Sequence, residues 1–417
     1  VLPRNGRDSH DIPFLTPNRT DDPAVLLTAG PPYPTRRCRR QRRSIAYNQW
    51  VGGGGSLATM QHAEIVTWLR EENSSRLGEL WQRADQTRQR FVGGEVHLRG
   101  LVEISNHCVR LCGYCGLRAP NDGLRRYRMT EEEILQAADR AVSFGYGTVV
   151  LQSGEDPGLS GAWITELVRR IKSQTPLAVT LSLGERSDED LIAWRAAGAD
   201  RYLLRFETSN RQLYERIHPA LPRRVSDRLA ILRRLRELGY EVGSGVMIGI
   251  PGQTYDDLAR DIALFTELDL DMIGVGPWLE HPDTPLADPD LRPTAPPGEQ
   301  VPSNELMTYK VIALARLACP RANIPSTTAL ATLNKAQGRE LGLVRGANVV
   351  MPNLTPPQYR ALYEIYPNKA CIAETGEACF ACLNQRIESL GRPIGVGRGD
   401  SPNATARTAG SASVDNL

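Results

Sequence analysis

Eight cysteines occur in this 417-residue chain, and six of them fall into two tight groups of three. The first group, Cys108, Cys112 and Cys115, has the spacing C-x3-C-x2-C. Three thiolates on one short loop can each bind one iron of a cubane 4Fe–4S cluster. The fourth iron then stays open to a small molecule. The competing chemistry is a structural zinc with His107 as fourth ligand, but zinc sites commonly pair two C-x2-C knuckles, and here one loop carries all three thiols. The second group, Cys371, Cys379 and Cys382, reads C-x7-C-x2-C. It can hold a second iron–sulfur cluster, a zinc or nothing. We favour a second iron–sulfur site, near the surface and apart from the catalytic one. Cys319 sits among apolar neighbours and reads as core, and Cys38 has no assigned role. Tight cysteine groups in a long chain point to metal or redox chemistry in a reducing compartment rather than to a disulfide framework.

A loop of this kind needs a scaffold, and the chain supplies a repeating one. Apolar strand-like runs are expected near 95–104, 148–151, 177–183, 201–206, 241–247, 271–275, 322–325 and 347–351. Helical patterns fall between them at 162–172, 188–197, 227–238, 255–267, 304–317 and 357–365, and another begins at Thr130, which forms a capping-box pair with Glu133. Eight β-then-α units predict a (β/α)8 barrel of the α/β class, with a doubly wound open sheet as the alternative. The distinctive residues follow the strands. Cys108 follows the first, Gln152 to Glu155 the second, Glu185 and Arg186 the third, and Glu207 the fourth. Gly249 to Gln253 follow the fifth, Gly274 to Pro277 the sixth, Thr327 and Thr328 the seventh, and Met351 to Asn353 the eighth. These positions form the C-terminal rim, where barrel enzymes build their sites.

A three-thiolate cluster on a barrel rim is the arrangement of radical S-adenosylmethionine (SAM) enzymes. In them the open iron chelates the amino and carboxylate groups of SAM. An electron passed to the sulfonium breaks the bond to the 5′ carbon and gives a 5′-deoxyadenosyl radical. Ser153, Gly154 and Glu155 can face the SAM ammonium, and Glu207 and Arg228 are candidates for the methionyl or ribose groups. Arg pairs a carboxylate in bidentate fashion. Gly249, Gly252, Gly274 and Gly276 allow backbone to approach an adenine ring. The plain alternatives are an ordinary loop carboxylate at Glu155 and turn-forming glycines.

Several stretches together resemble HydE, the radical SAM maturase family of iron-iron hydrogenase. They are 103–121 (EISNHCVRLCGYCGLRAPN), 150–156 (VLQSGED), 181–187 (LSLGERS) and 201–208 (RYLLRFET). Further on come 243–254 (GSGVMIGIPGQT), 273–286 (IGVGPWLEHPDTPL), 324–328 (IPSTT), 346–356 (GANVVMPNLTP) and the C-terminal cysteine trio. The resemblance spans about residues 60–400, with no counterpart for 1–59. It implies a full barrel with an internal cavity and the SAM cluster at its top. It implies SAM contacts at Gln152, Ser153, Glu207 and Arg228. An anion and substrate cavity would be lined by Arg201, Arg205, Met272, Thr327, Thr328 and Tyr366. Phe206 stands where members often carry His, which would alter hydrogen bonding in the cavity. The implied substrate is a small cysteine-bound iron carbonyl–cyanide unit supplied by the maturase HydG, with the product passing to HydF. The second cluster is regarded in the family as dispensable. Related enzymes resembling methylornithine synthase or biotin synthase are the alternative, and a non-catalytic iron–sulfur or zinc protein is the alternative of another class.

Composition bounds these readings. Charged residues make up 24% of the chain and the net charge is only +2, so nucleic-acid electrostatics rest on the basic run 36–43 alone. No apolar run reaches the roughly 18 residues of a membrane span, and the N-terminus lacks a signal-peptide core. A cytoplasmic protein is expected, binding neither nucleic acid nor membrane. The expected organisation is a disordered or non-native extension at 1–59, the barrel with the C-terminal cysteine motif at 60–394, and a disordered Gly/Ser/Ala-rich tail at 395–417.

Overall fold

The strands alternate two kinds of side chain. On the first three, Val102, Ile104, Val149, Leu151, Val179 and Leu181 belong to the outer core under the helices. Leu101, Glu103, Val150, Gln152, Thr180 and Ser182 face a central cavity instead. This two-residue period is what a barrel wall requires. The strands are β1 (His97–Ser105), β2 (Thr148–Ser153), β3 (Ala178–Ser182), β4 (Arg201–Leu203), β5 (Glu241–Ser244), β6 (Met247–Ile248), β7 (Met272–Ile273), β8 (Gly276–Pro277) and β9 (Val349–Val350). The computed structural model describes residues 60–223, 225–372 and 376–407. The chain divides into two compact units, 1–57 and 58–417. Residues 1–59, the whole of the expected N-terminal extension, lie outside the described residues.

The main sheet runs β7-β5-β4-β3-β2-β1-β9, with every pair parallel. Residues 323–325 close the ring: Asn323 bridges Met272, and Pro325 bridges Val349. Asn323 N donates to Asp271 O at 2.8 Å and Asn348 N to Ile324 O at 2.9 Å. The result is the expected (β/α)8 barrel. Its seventh strand is reduced to isolated bridges, since Pro325 has no N–H to give a ladder.

The expected strands at 241–247 and 271–275 are each split in two. Gly245 and Gly274 meet at the break, where a Cβ on Gly245 would lie 1.8 Å from the Gly274 carbonyl oxygen. Beyond it β6 and β8 pair as a short second sheet at the rim.

The helices are α1 (His62–Arg70), α2 (Ser74–Val92), α3 (Glu131–Ser143), α4 (Gly161–Gln174), α5 (Asp188–Ala196), α6 (Arg211–Ile217) and α7 (Arg228–Glu237). They continue as α8 (Tyr255–Glu267), α9 (Glu305–Ala318), α10 (Thr328–Leu333), α11 (Gly338–Leu343), α12 (Pro357–Arg360) and α13 (Gly376–Glu388). Side-chain caps start most of the long ones: a Thr130–Glu133 capping box for α3, Ser160 for α4, Ser187 for α5, a Thr254–Asp257 box for α8 and Asn304 for α9. Each such cap contributes about 1 kcal/mol. Among the described residues no helix is long and apolar enough to cross a membrane.

Two expectations are corrected. The helix expected at 357–365 stops at Arg360. Pro367 disfavours helical backbone at Tyr366, and the chain after α12 turns in so that Tyr363, Tyr366 and Lys369 reach the cavity. The tail expected to be disordered from 395 is packed as far as 407. Gly395 N donates to Val96 O at 2.9 Å, and Arg398 O accepts from Thr148 Oγ1 at 2.8 Å. Arg398 pairs with Asp200 at 2.7 Å and Arg407 with Asp271 at 2.7 Å. Small-residue composition hid a few charged side chains matched to carboxylates at the strand starts. Residues 408–417 lie outside the described ones.

Candidate active site

The loop leaving β1 is held by its own polar groups. Asn106 Nδ2 donates to Arg125 O at 2.9 Å and to Leu362 O at 2.7 Å, while Tyr127 N donates to Asn106 Oδ1 at 2.7 Å. The Arg126 guanidinium reaches four loop carbonyls, those of Asn106, Leu117, Arg118 and Asn121, at 2.7–3.0 Å. Gly154 presses on this loop, and a Cβ there would lie 2.2 Å from His107 O.

So fixed, Cys108, Cys112 and Cys115 all line one cavity of about 350 Å³ and form no disulfide. Burial pushes the Cys108 thiol up, Cys112 up to about 12 and Cys115 well above its ordinary value. Thiols of this kind stay protonated until a metal displaces the proton. Among the described residues no three His, Cys, Asp or Glu side chains are arranged to hold a single ion. A tetrahedral zinc gathers its thiolates at about 2.3 Å from one centre, whereas a cubane spreads three over three irons. His107, the fourth ligand of the zinc alternative, is not among the cavity walls. Three thiols on one loop that line a single cavity are a donor set that fits a three-thiolate cluster.

Gln152, Ser153, Glu155, Glu207 and Arg228 line the same cavity. Arg110, inside the cysteine loop, bridges Glu155 at 2.9 Å and Glu185 at 2.6 Å. Glu185 Oε1 also accepts from Arg228 Nε at 3.0 Å and Ser226 Oγ at 2.6 Å. Burial alone would raise the Glu185 carboxyl; the Arg228 and Arg110 guanidiniums and the Ser226 hydroxyl act against it, and it is held well below the usual carboxylate range. Arg228 NH1 donates to Arg205 O at 2.7 Å. Glu207 pairs with Arg205 at 2.9 Å and sits in the left-handed region at φ 64°. A non-glycine residue held there stores backbone strain of the sort that gathers at functional sites.

The Radical SAM superfamily profile matches residues 102–265. The FeFe hydrogenase maturase subunit HydE of Thermotoga maritima is 48% identical over 316 residues, covering 76% of this chain and 86% of that protein. The chain belongs to the HydE family of radical SAM enzymes. A 3-methylornithine synthase of Methanosarcina acetivorans is 27% identical over 290 residues, 69% of this chain and 77% of that one. The crystal structure of a methylornithine synthase superposes with a TM-score of 0.68 at 25% identity, over 82% of this chain and 95% of the other. The crystal structure of HydG superposes with a TM-score of 0.60 at 22% identity, over 71% and 65%, and shares the fold.

In this HydE-family chain Arg205, Met272, Thr327, Thr328 and Tyr366 line the cavity as expected from the resemblance. Arg201 does not. It is fully buried at the opposite end of the barrel, paired with Glu241 at 2.7 Å and with Asp400. Arg201 opens β4 and Arg205 follows its end, which places them about 13 Å apart at roughly 3.3 Å per residue. Phe206 is likewise no cavity residue; it packs in the core against Phe265 with ring centroids 5.9 Å apart. Sequence reasoning missed Arg99, Glu103, Tyr114, Tyr363 and Lys369, all of which line the cavity. The strand period would have found Arg99 and Glu103, which share the inward face of β1 with Leu101. The buried Lys369–Glu103 pair joins the turn after α12 to β1, a contact no local pattern announces.

The second cysteine group lies elsewhere. Cys371 lines a separate pocket of about 340 Å³ with Lys335, Arg339 and Arg386, and both Arg339 terminal nitrogens lie 3.5 Å from its sulfur. Cys382 is exposed.

The loops carrying Glu207 and Gly249 are tied together from behind by Asp261 of α8. Its carboxylate accepts from Ser209 N at 2.6 Å and Gln253 Nε2 at 3.3 Å. Burial, with Asp257 adding to it, pushes this carboxyl up to about 7. The folded state then binds more protons than the unfolded chain between about pH 4 and 7, so stability falls as pH rises through that window. At about 1.4 kcal/mol per tenfold difference in proton affinity the loss reaches a few kcal/mol. Melting curves between about pH 5 and 8 should show this fall, and Asp261→Asn should flatten it. An unchanged slope in the variant would assign the proton elsewhere.

Proposed function

We propose that this chain cleaves SAM reductively at a 4Fe–4S cluster held by Cys108, Cys112 and Cys115, and acts in assembly of the active-site cluster of iron-iron hydrogenase. The observation that carries this is the convergence of three thiols, the Glu155, Glu207 and Arg228 side chains and the Arg205–Thr327–Tyr366 wall on one cavity. When bound, the cluster supplies the electron that cleaves SAM to methionine and a 5′-deoxyadenosyl radical. The chain's own residues bind and orient. Arg228 offers a guanidinium to the SAM carboxylate, Glu155 and the Ser153–Gly154 backbone face its ammonium, and Glu207 and Gln152 take hydroxyl or amide contacts. The cavity holds the radical away from bulk water. Arg205 and the Thr327 hydroxyl, which has no hydrogen-bond partner among the described residues, suit an anionic substrate.

That substrate is a small cysteine-bound iron carbonyl–cyanide unit, with HydG and HydF as the supplying and receiving maturases. The 48% identity to a HydE, against 27% to a methylornithine synthase, favours this over the methylornithine reading. A cytoplasmic location keeps the thiols reduced. The test is anaerobic reconstitution with iron and sulfide, then SAM and dithionite, with 5′-deoxyadenosine quantified with and without the iron–cysteine complex. Substrate-dependent product supports the reading; a cluster that does not respond to SAM overturns it.

The second cysteine group is read as a second iron–sulfur site, supported by the paired Arg339 donors that favour a thiolate at Cys371. The Cys371→Ser/Cys379→Ser/Cys382→Ser protein is expected to bind less iron while forming 5′-deoxyadenosine at the parental rate. Equal iron content in both would remove the second site.

A further inference from the structure

One imidazole stands against the most enclosed thiol of the cysteine loop. His218 Nδ1 lies 3.0 Å from Cys112 Sγ, and His218 itself is 1% exposed. Its other nitrogen, Nε2, lies 3.2 Å from an Arg228 terminal nitrogen and 3.6 Å from Glu185 Oε1. These neighbours ask for opposite protonation of Nε2. A guanidinium only donates, so beside Arg228 the ring nitrogen must be the acceptor. Glu185 would require a proton there, but 3.6 Å is beyond hydrogen-bond reach, and Oε1 already accepts from Ser226 and Arg228. The Arg228 contact therefore decides the tautomer. An imidazolium would set two donors against each other at that contact, so the ring is neutral, with its one proton on Nδ1 beside the Cys112 sulfur.

The surroundings keep this geometry. His218 N donates to Tyr214 O at 2.7 Å, and the Tyr214 hydroxyl bonds Ser226 Oγ at 2.8 Å. Gly113 N donates to Ile217 O at 2.7 Å, which ties the cysteine loop to the end of α6 beside His218. Cys112, His218, Arg228 and Glu185 thus form one hydrogen-bonded chain running from the cysteine loop to the carboxylate after β3.

We propose that His218 donates an Nδ1–H hydrogen bond to the Cys112 thiolate and thereby raises the reduction potential of the cluster. The proposal rests on Cys112 being a cluster ligand. Hydrogen bonds to cluster sulfurs are among the levers that set potential. Reduction adds a negative charge, part of which the thiolate carries, so a donor at that sulfur stabilises the reduced state more than the oxidised one. His218 acts through Cys112 and is a positioning residue, touching neither SAM nor substrate.

The test is an EPR-monitored redox titration of the reconstituted full chain as parent, His218→Leu and His218→Asn. In His218→Leu reduction should become about tenfold less favourable, equal to about 59 mV lower for one electron. In His218→Asn the amide nitrogen stands close to the former Nδ1, and most of the shift should be recovered. Equal potentials in all three overturn the proposal. Cluster loading of the parent, and its loss in Cys112→Ser, are read separately, so a failure of the underlying ligand assignment is distinguishable. If His218→Leu does not fold, the parent decides: pulsed EPR of the reduced cluster with 15N-histidine should show a histidine nitrogen coupling, and a spectrum without one overturns the proposal.

Discussion

Cys112→Ser is expected to lose the cluster and to form 5′-deoxyadenosine at no more than the enzyme-free rate. On the proposed ligand set three thiols serve three irons, so none is spare, and Cys112 is the buried one of the three. Outer-shell changes at metal sites already cost roughly 10–100-fold, and loss of a ligand exceeds that. Serine is nearly isosteric, and its hydroxyl can still take the His218 contact at 3.0 Å. The apoprotein should therefore melt where the parent apoprotein melts, which separates lost ligation from lost folding. Cys319→Ser is the control. Cys319 caps α9 beside Thr266, away from the cavity walls, and its variant should keep the cluster. A Cys112→Ser protein that still makes product would remove Cys112 from the ligand set.

The cysteine spacing and the order of rim motifs were legible because both are local. A thiol loop directly after a strand carries its own geometry, and β–α alternation places every following loop on one rim. Gln152, Ser153, Glu155 and Glu207 follow strands in this way, Arg228 came from the family resemblance, and all five line the cavity. What was not legible depends on strand ends and on partners distant in the chain. Arg201 and Arg205 look alike in sequence, yet β4 ends at Leu203, which leaves one at the floor and the other at the rim. Phe206 faces the core for the same reason. The 395–407 segment looked featureless because its order comes from charge pairs with residues such as Asp200 and Asp271, 198 and 136 positions away. The inward turn of Tyr363 and Lys369 follows from an early helix stop and a buried ion pair with Glu103, not from periodicity.

The second large effect is expected at Arg110, a buried side chain between Cys108 and Cys112 in the cysteine loop. Its side chain is 1% exposed and spans Glu155 after β2 and Glu185 after β3, from within the loop that carries Cys108 and Cys112. Removing one member of a buried ionic group leaves the others uncompensated and costs about 3–5 kcal/mol. Arg110→Met should lose that much, about a 5 °C fall in Tm for a barrel of this size. Lysine cannot span both carboxylates with one compact ammonium, so Arg110→Lys should recover only part. Glu185 keeps Arg228 and Ser226 as partners at 3.0 and 2.6 Å, and Glu155 keeps the Glu185 backbone N–H at 3.0 Å, so the cost is that of the lost guanidinium charge between two carboxylates. The sign with pH follows. A buried carboxylate that loses its cation has its folded pKa raised, so the folded variant gains protons as pH falls and its deficit shrinks. Thermal melts of parent and Arg110→Met between about pH 5 and 8 should diverge most at the alkaline end. The Arg110→Met/Glu155→Gln double variant should be less destabilised than the sum of the singles, because the charge that made the first change costly is gone. A deficit independent of pH, or singles that simply add, would mean that Arg110 contributes packing alone. A coupled, pH-dependent deficit would make it the ionic clamp that holds the cysteine loop against the rim.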